Sequence, residues 1–88
     1  MIAESPVKSA DPVEFGRILG RVFMAQREKK KLSKTKLSEA ANVARAGIIM
    51  FERGDRMPSI HICKALADAM ETPLSRLVKK AEDILKSS

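Results

Sequence analysis

Apolar residues recur every three or four positions along most of the chain. In the longest run this spacing links Phe15, Val22 and Phe23, which places them on one side of a helix. No stretch shows the alternation of apolar and polar residues that is typical of a strand. The pattern therefore predicts an all-α fold of five helices, over residues 12–30, 34–41, 45–53, 60–70 and from residue 74 onward.

Capping residues mark where several of these helices begin. Asp11 followed by Pro12 is a capping residue before a residue that is favoured at the first helical position. Thr72 followed by Pro73 repeats this arrangement before the last helix. Residues 1–10 show no period, and we expect them to form a mobile tail.

The second and third predicted helices are short and lie close together, as in a helix-turn-helix motif. Ser33 can cap the second helix, and Asn42 tolerates the left-handed turn expected after it. On the second helix we expect burial of Leu37, Ala40 and Ala41, and between the second, third and fourth helices that of Ile48 and Phe51.

The distribution of charge along the chain indicates the kind of partner that the protein binds. The chain has 88 residues, enough for one domain, with 17 basic and 11 acidic residues and a net charge of +6. Residues 27–56 hold nine basic and four acidic residues, which is a net +5 of that +6. A local positive field of this kind attracts polyanions.

The residues that carry metal or redox chemistry are scarce. Cys63 is the single cysteine and His61 the single histidine, so no disulfide, zinc or paired-histidine site is expected. We expect Cys63 to be buried and His61 exposed on the fourth helix, with no cofactor and no enzymatic activity. No apolar run reaches the roughly 20 residues that span a membrane, and no signal peptide is evident. These features indicate a cytoplasmic protein.

A set of short motifs, in order and at fixed spacing, resembles the lambdoid repressor and Cro family of helix-turn-helix proteins, also called the XRE family. The similarity covers residues 19–78 and is most specific over 32–58. The motifs are Leu19-Gly20-Arg21, Arg27-Glu28, Leu32-Ser33-Lys34, residues 37–43, Ile48, residues 51–54, Pro58-Ser59 and Leu66-Ala67.

The resemblance implies a five-helix DNA-binding domain over residues 11–78, with the third helix in the DNA major groove. It also implies that Arg27 and Glu52 form a structural pair between the first and third helices rather than contacting bases. The residues it implies at the DNA are Lys34, Lys36, Arg45, Ala46, Ile49, Met50, Arg53 and Arg56.

Some positions depart from the family pattern. Ala44 stands where Ser or Thr usually caps the third helix. Ile49 and Met50 place apolar surface where polar side chains usually read bases, and either thymine methyl groups or another protein can cover them. Gly16 and Gly20, four residues apart, can let a neighbouring helix approach closely. We expect this part of the first helix, with Phe15 and Ile18, to pack against the fifth helix, and the alternative is that it adds to a dimer contact.

The leading hypothesis is a sequence-specific regulator of transcription, a repressor, that binds double-stranded DNA in the cytoplasm and is nucleoid-associated when bound. The alternative is a protein-interaction module of the same fold, an antitoxin or antiactivator, that uses the apolar face of the third helix. Residues 79–88 extend the fifth helix beyond the family fold. Through Ile84 and Leu85, this extension is expected to form a homodimer contact. The dimer would place two recognition helices on a palindromic site.

Overall fold

The computed structural model describes residues 12–87, which form five helices and no strand. The all-α prediction is therefore confirmed. The expected tail, residues 1–10, and the expected cap Asp11 lie outside the described residues. The helices are α1 over Pro12–Lys29, α2 over Lys34–Ala41, α3 over Arg45–Arg53, α4 over Ile60–Ala69 and α5 over Leu74–Ser87.

One apolar core joins all five helices. The long helices α1 and α5 lie against each other, α3 packs on α1, and α2 packs on α3 and α4. Because each helix is amphipathic, its buried stripe faces this core, and its charged residues other than Arg27 and Glu52 face outward. Among the described residues, no helix is apolar and long enough to cross a bilayer. The largest fully buried side chains are Leu19, Leu37, Ile48, Phe51, Cys63, Leu66, Met70 and Leu77.

Local signals set the ends of the two short helices. The Ser33 hydroxyl accepts a hydrogen bond from the Lys36 N–H at 3.0 Å, which caps α2 as expected. Asn42 ends α2 in the left-handed conformation with φ of 57°. Ala44 begins α3 without a side-chain cap, so this helix depends on its packing rather than on its first turn.

One burial prediction was wrong and another was confirmed. Ala40 is exposed, because it lies on the solvent side of α2, whereas Leu37 is buried and Ala41 half-buried. Phe51 is fully buried as expected, and its aromatic neighbour is Phe23 of α1. The rings of Phe51 and Phe23 have centroids 5.0 Å apart and are tilted by 55°. Packing of α3 on α1 therefore dominates this part of the core.

Thr72 has a role that the prediction missed. Its buried hydroxyl accepts a hydrogen bond from Gln26 Nε2 at 2.9 Å and donates one to the Met70 carbonyl oxygen at 3.0 Å. Thr72 therefore joins α1 to the turn between α4 and α5, instead of capping α5, which begins at Leu74.

The first helix packs against α5, but its glycines face α3 and the loop after it rather than α5. A Cβ atom on Gly20 would collide with the backbone carbonyl oxygen of Phe51. One on Gly16 would lie 3.3 Å from the sulfur of Met57. The backbones of α1 and α3 therefore approach closely at Gly20, because no side chain stands between them.

The single histidine and the single cysteine both lie on α4, as expected. His61 is exposed on its first turn, and Cys63 is buried in the core. Burial raises the pKa of the Cys63 thiol, which keeps it protonated and poorly nucleophilic. Both observations favour ordinary structural roles for these side chains.

The glycines Gly20 and Gly47 predict stability changes of opposite sign. Gly20→Ala should lower the free energy of unfolding by about 1–3 kcal/mol, because the added methyl group overpacks the α1–α3 contact. Gly47→Ala should raise it by about 0.5–1 kcal/mol, because alanine favours a helix and nothing lies within 4 Å of its Cβ position. Urea titration of both variants measures the two values. Equal effects at the two positions would contradict the close approach.

Candidate nucleic-acid interface

One face of α3 carries three residues spaced by single helical turns, two of them exposed and the middle one half-buried. Arg45, Ile49 and Arg53 are four residues apart, so they follow one another along the helix. The three line an open pocket of about 240 Å³, and Lys34 at the start of α2 lines it from the side. Four of the eight predicted DNA-contacting residues therefore meet at one place. We call Arg45, Ile49 and Arg53 the basic stripe.

The neighbouring face of α3 is made of smaller and apolar side chains. Ala46 and Met50 line a second open pocket, of about 510 Å³, between α3, the loop that follows it and α4. Arg56 in that loop lines the same pocket. Gly47 also borders the pocket, and its missing side chain leaves open space beside the helix. Three more of the predicted residues therefore come together here.

Lys36 lines neither of these pockets. Its side chain is exposed on α2, and its backbone N–H donates to the cap Ser33. Met24 of α1, which was not among the predicted residues, lines the pocket of the basic stripe. Met24 lies three residues before Arg27, one turn along the side of α1 that faces α3. This spacing from Arg27 is the feature of the sequence that could have predicted Met24 at the site.

Behind the basic stripe, Arg27 and Glu52 form a buried ion pair, as the resemblance implied. Arg27 Nε lies 2.7 Å from Glu52 Oε2, and Arg27 Nη2 lies 3.1 Å from Glu52 Oε1. The side chains are 8% and 4% exposed, respectively. The planar guanidinium thus donates two parallel hydrogen bonds to one carboxylate, which fixes direction as well as distance.

The same guanidinium also holds the entry to α2. Arg27 Nη1 donates to the Leu32 carbonyl oxygen at 2.8 Å, and the Leu32 N–H donates to the Arg27 carbonyl oxygen at 3.1 Å. The hydrogen bonds that Arg27 donates to Glu52 raise the pKa of Arg27 against the opposing effect of burial, and the negative charges of Glu52 and Glu28 raise it further. Arg27 is therefore a charged brace between α1, α3 and the turn before α2. Its donors face the protein rather than solvent.

The comparisons with known proteins agree with this geometry. The Helix-turn-helix family model matches residues 23–77, which is more than half of the chain. The chain therefore belongs to the helix-turn-helix family, of the XRE type that its motifs resemble. No curated protein sequence matches the chain.

A solved structure has the same fold. The chain superimposes on the clp gene regulator ClgR from Corynebacterium glutamicum with a TM-score of 0.77. The match covers 82% of this chain and 77% of that chain, at 19% sequence identity. At this identity the likeness establishes the arrangement of the helices.

The buried pair predicts a strongly non-additive set of variants. Arg27→Met and Glu52→Leu should each lower the free energy of unfolding by about 3–5 kcal/mol, because each leaves the other charge buried and unpaired. The double variant should lose far less than the sum of the two. Chemical denaturation of the four proteins in this double-mutant cycle measures the coupling.

The exposed pair of Lys64 and Asp68, 2.7 Å apart on α4, is the matched control. Alanine substitutions there should couple by less than about 1 kcal/mol, because solvent screens both charges. If the losses at Arg27 and Glu52 add to within about 0.5 kcal/mol, the two residues do not act as a pair.

Proposed function

We propose that the protein is a transcriptional regulator, a repressor, that binds a specific sequence in double-stranded DNA with α3 in the major groove. The observation that carries this proposal is the convergence of Lys34, Arg45 and Arg53 on one open pocket beside α3. DNA is a polyanion whose major groove admits an α-helix, so a positive surface on an exposed helix that is held in place suits it. In a bacterial cell this role would place the protein in the cytoplasm, on the nucleoid.

The basic stripe supplies different kinds of contact along its length. Arg45, in the first turn of α3, can donate both arms of its guanidinium to O6 and N7 of guanine. Ile49, one turn later, offers an apolar surface for a thymine methyl group. Lys34 and Arg53, at either side, suit phosphate oxygens, which position the helix without reading sequence. Base reading is thus concentrated on Arg45 and Ile49.

The other predicted residues would support this docking from the flanks. Ala46 and Met50 offer a small and an apolar contact beside the basic stripe. Arg56, in the loop after α3, and Lys36, exposed on α2, can both reach the phosphate backbone. The lack of large side chains at Ala46 and Gly47 lets the duplex approach this side of α3 closely.

Arg45→Ala tests the base-reading role. Arginine on guanine contributes about 1–3 kcal/mol of discrimination, so the ratio of affinities for a selected and a scrambled duplex should fall about 5- to 150-fold. Arg76→Ala is the matched control, because it removes the same charge from the exposed surface of α5. Fluorescence anisotropy with duplexes selected from a random library measures both ratios. Equal losses in the two variants would contradict base reading by Arg45.

We further propose that the regulator binds a palindromic site as a homodimer joined through the end of α5. This helix continues unbroken to Ser87, and its apolar stripe continues with it. Ala81 and Leu85 belong to the core or pack on it, whereas Ile84 is 45% exposed. A two-fold axis at this end would present two α3 helices to major grooves about 34 Å apart.

Ile84→Glu tests the dimer without shortening the helix. Sedimentation equilibrium should show a dimer for the natural chain and a monomer for Ile84→Glu, because a buried unpaired charge opposes association. Ser75→Glu is the control, because it adds the same charge to an exposed position on the opposite side of α5. A monomeric natural chain, or equal dissociation of both variants, would contradict this interface.

A protein-interaction module is the second candidate, and the pocket beside Met50 favours it. Apolar side chains line most of that pocket, among them Val43, Met57 and Ile62. Salt separates the two candidates, because DNA binding weakens steeply with salt and an apolar contact does not. If selection at about 50 mM salt recovers no bound duplex, the protein-interaction function replaces DNA binding.

A further inference from the structure

The turn after α3 holds an acidic residue in a fixed position next to the basic stripe. Gly54 ends the helix in the left-handed conformation with φ of 81°, and its N–H donates to the Phe51 carbonyl oxygen at 3.0 Å. The Asp55 N–H donates to the Met50 carbonyl oxygen at 2.8 Å. These two bonds close the helix end as a Schellman motif, so the backbone of Asp55 is anchored to α3.

From this position the Asp55 carboxylate contacts the last residue of the basic stripe. Arg53 Nε lies 3.2 Å from Asp55 Oδ2. The Arg53 side chain is 69% exposed and that of Asp55 47% exposed, so the pair is open to solvent and to any ligand of α3. Arg53 thus has two possible partners on the same surface, the carboxylate and a DNA phosphate.

We propose that Asp55 competes with the DNA backbone for Arg53 and thereby lowers the affinity of the protein for duplex DNA. This inference rests on the proposed DNA-binding function. Carboxylate and phosphate oxygens both suit the guanidinium, and Asp55 lies at its Nε side, so a phosphate that binds this side must displace the carboxylate.

The salt dependence of binding follows from this exchange. A basic residue that neutralises one phosphate releases counterions and adds about −0.9 to the slope of log affinity against log salt. In the natural chain Arg53 exchanges one anion for another, and the freed carboxylate attracts a cation, so its contact releases few counterions. Without the Asp55 carboxylate, the contact between Arg53 and a phosphate releases the full number of counterions.

The effect is independent of base sequence, because phosphates carry no sequence information. Asp55 therefore lowers affinity for selected and scrambled duplexes by the same factor. This separates its role from that of Arg45, whose loss changes the ratio of the two affinities. Weaker backbone binding leaves the regulator less occupied by non-specific DNA and more dependent on base contacts.

Asp55→Asn tests the proposal, because the side chain keeps its shape and the anchoring bonds belong to the backbone. The variant should bind both duplexes about two- to tenfold more tightly at low salt, with a slope more negative by about 0.9. Asp68→Asn is the matched control, because it removes the same charge from an exposed ion pair on α4. It should leave the slope unchanged.

A double-mutant cycle with Arg53→Ala shows whether Asp55 acts through Arg53. In the Arg53→Ala background, Asp55→Asn should have no more effect than Asp68→Asn. Equal gains from the two asparagine variants in the natural background would overturn the proposal in favour of net charge. A full gain that persists without Arg53 would overturn it in favour of direct repulsion. Natural protein that binds no duplex would refute the proposed function itself, which is a different result from binding that Asp55→Asn leaves unchanged.

Discussion

The Arg27–Glu52 pair is the interaction on which the placement of α3 depends. Two short hydrogen bonds tie the last turn of α1 to the last turn of α3, and a third from the same guanidinium reaches the turn before α2. Removing two charges from water is costly, so such a pair persists only where its geometry is well satisfied. Here the pair connects α1, α3 and the turn before α2 at once. Its own side chains are buried, whereas Arg45 and Arg53 of the basic stripe are exposed.

A close backbone contact at Gly20 also holds α3 against α1. At Gly20 the chain has no side chain, so α1 and α3 lie close together near the Phe51 carbonyl. The packed rings of Phe23 and Phe51 fix the same contact from the core. Held at one end by charge and along its length by packing, α3 is rigid enough to present its side chains in a defined order. The proposed base contacts require such rigidity, because they tolerate little displacement.

Sequence predicted the features that depend on local chemistry. The bounds of α2 match because Ser33 marks its start and Asn42 its end, each through a hydrogen bond to a nearby residue of the same helix. The meeting of Arg45, Ile49 and Arg53 follows from helical spacing alone. Gly20 and Asp55 needed the folded structure, because one depends on another helix and the other on how a turn aims its side chain.

Chemical-shift mapping of a duplex titration tests the central claim most directly, because it locates the interface without altering any residue. The account predicts that backbone amide shifts on adding a selected duplex concentrate in α3, at the start of α2 and in the loop around Arg56. Amides along the contact between α1 and α5 should change little. Shifts concentrated on α5 or on the outer face of α4, with α3 unaffected, would contradict the assignment of α3 as the recognition helix.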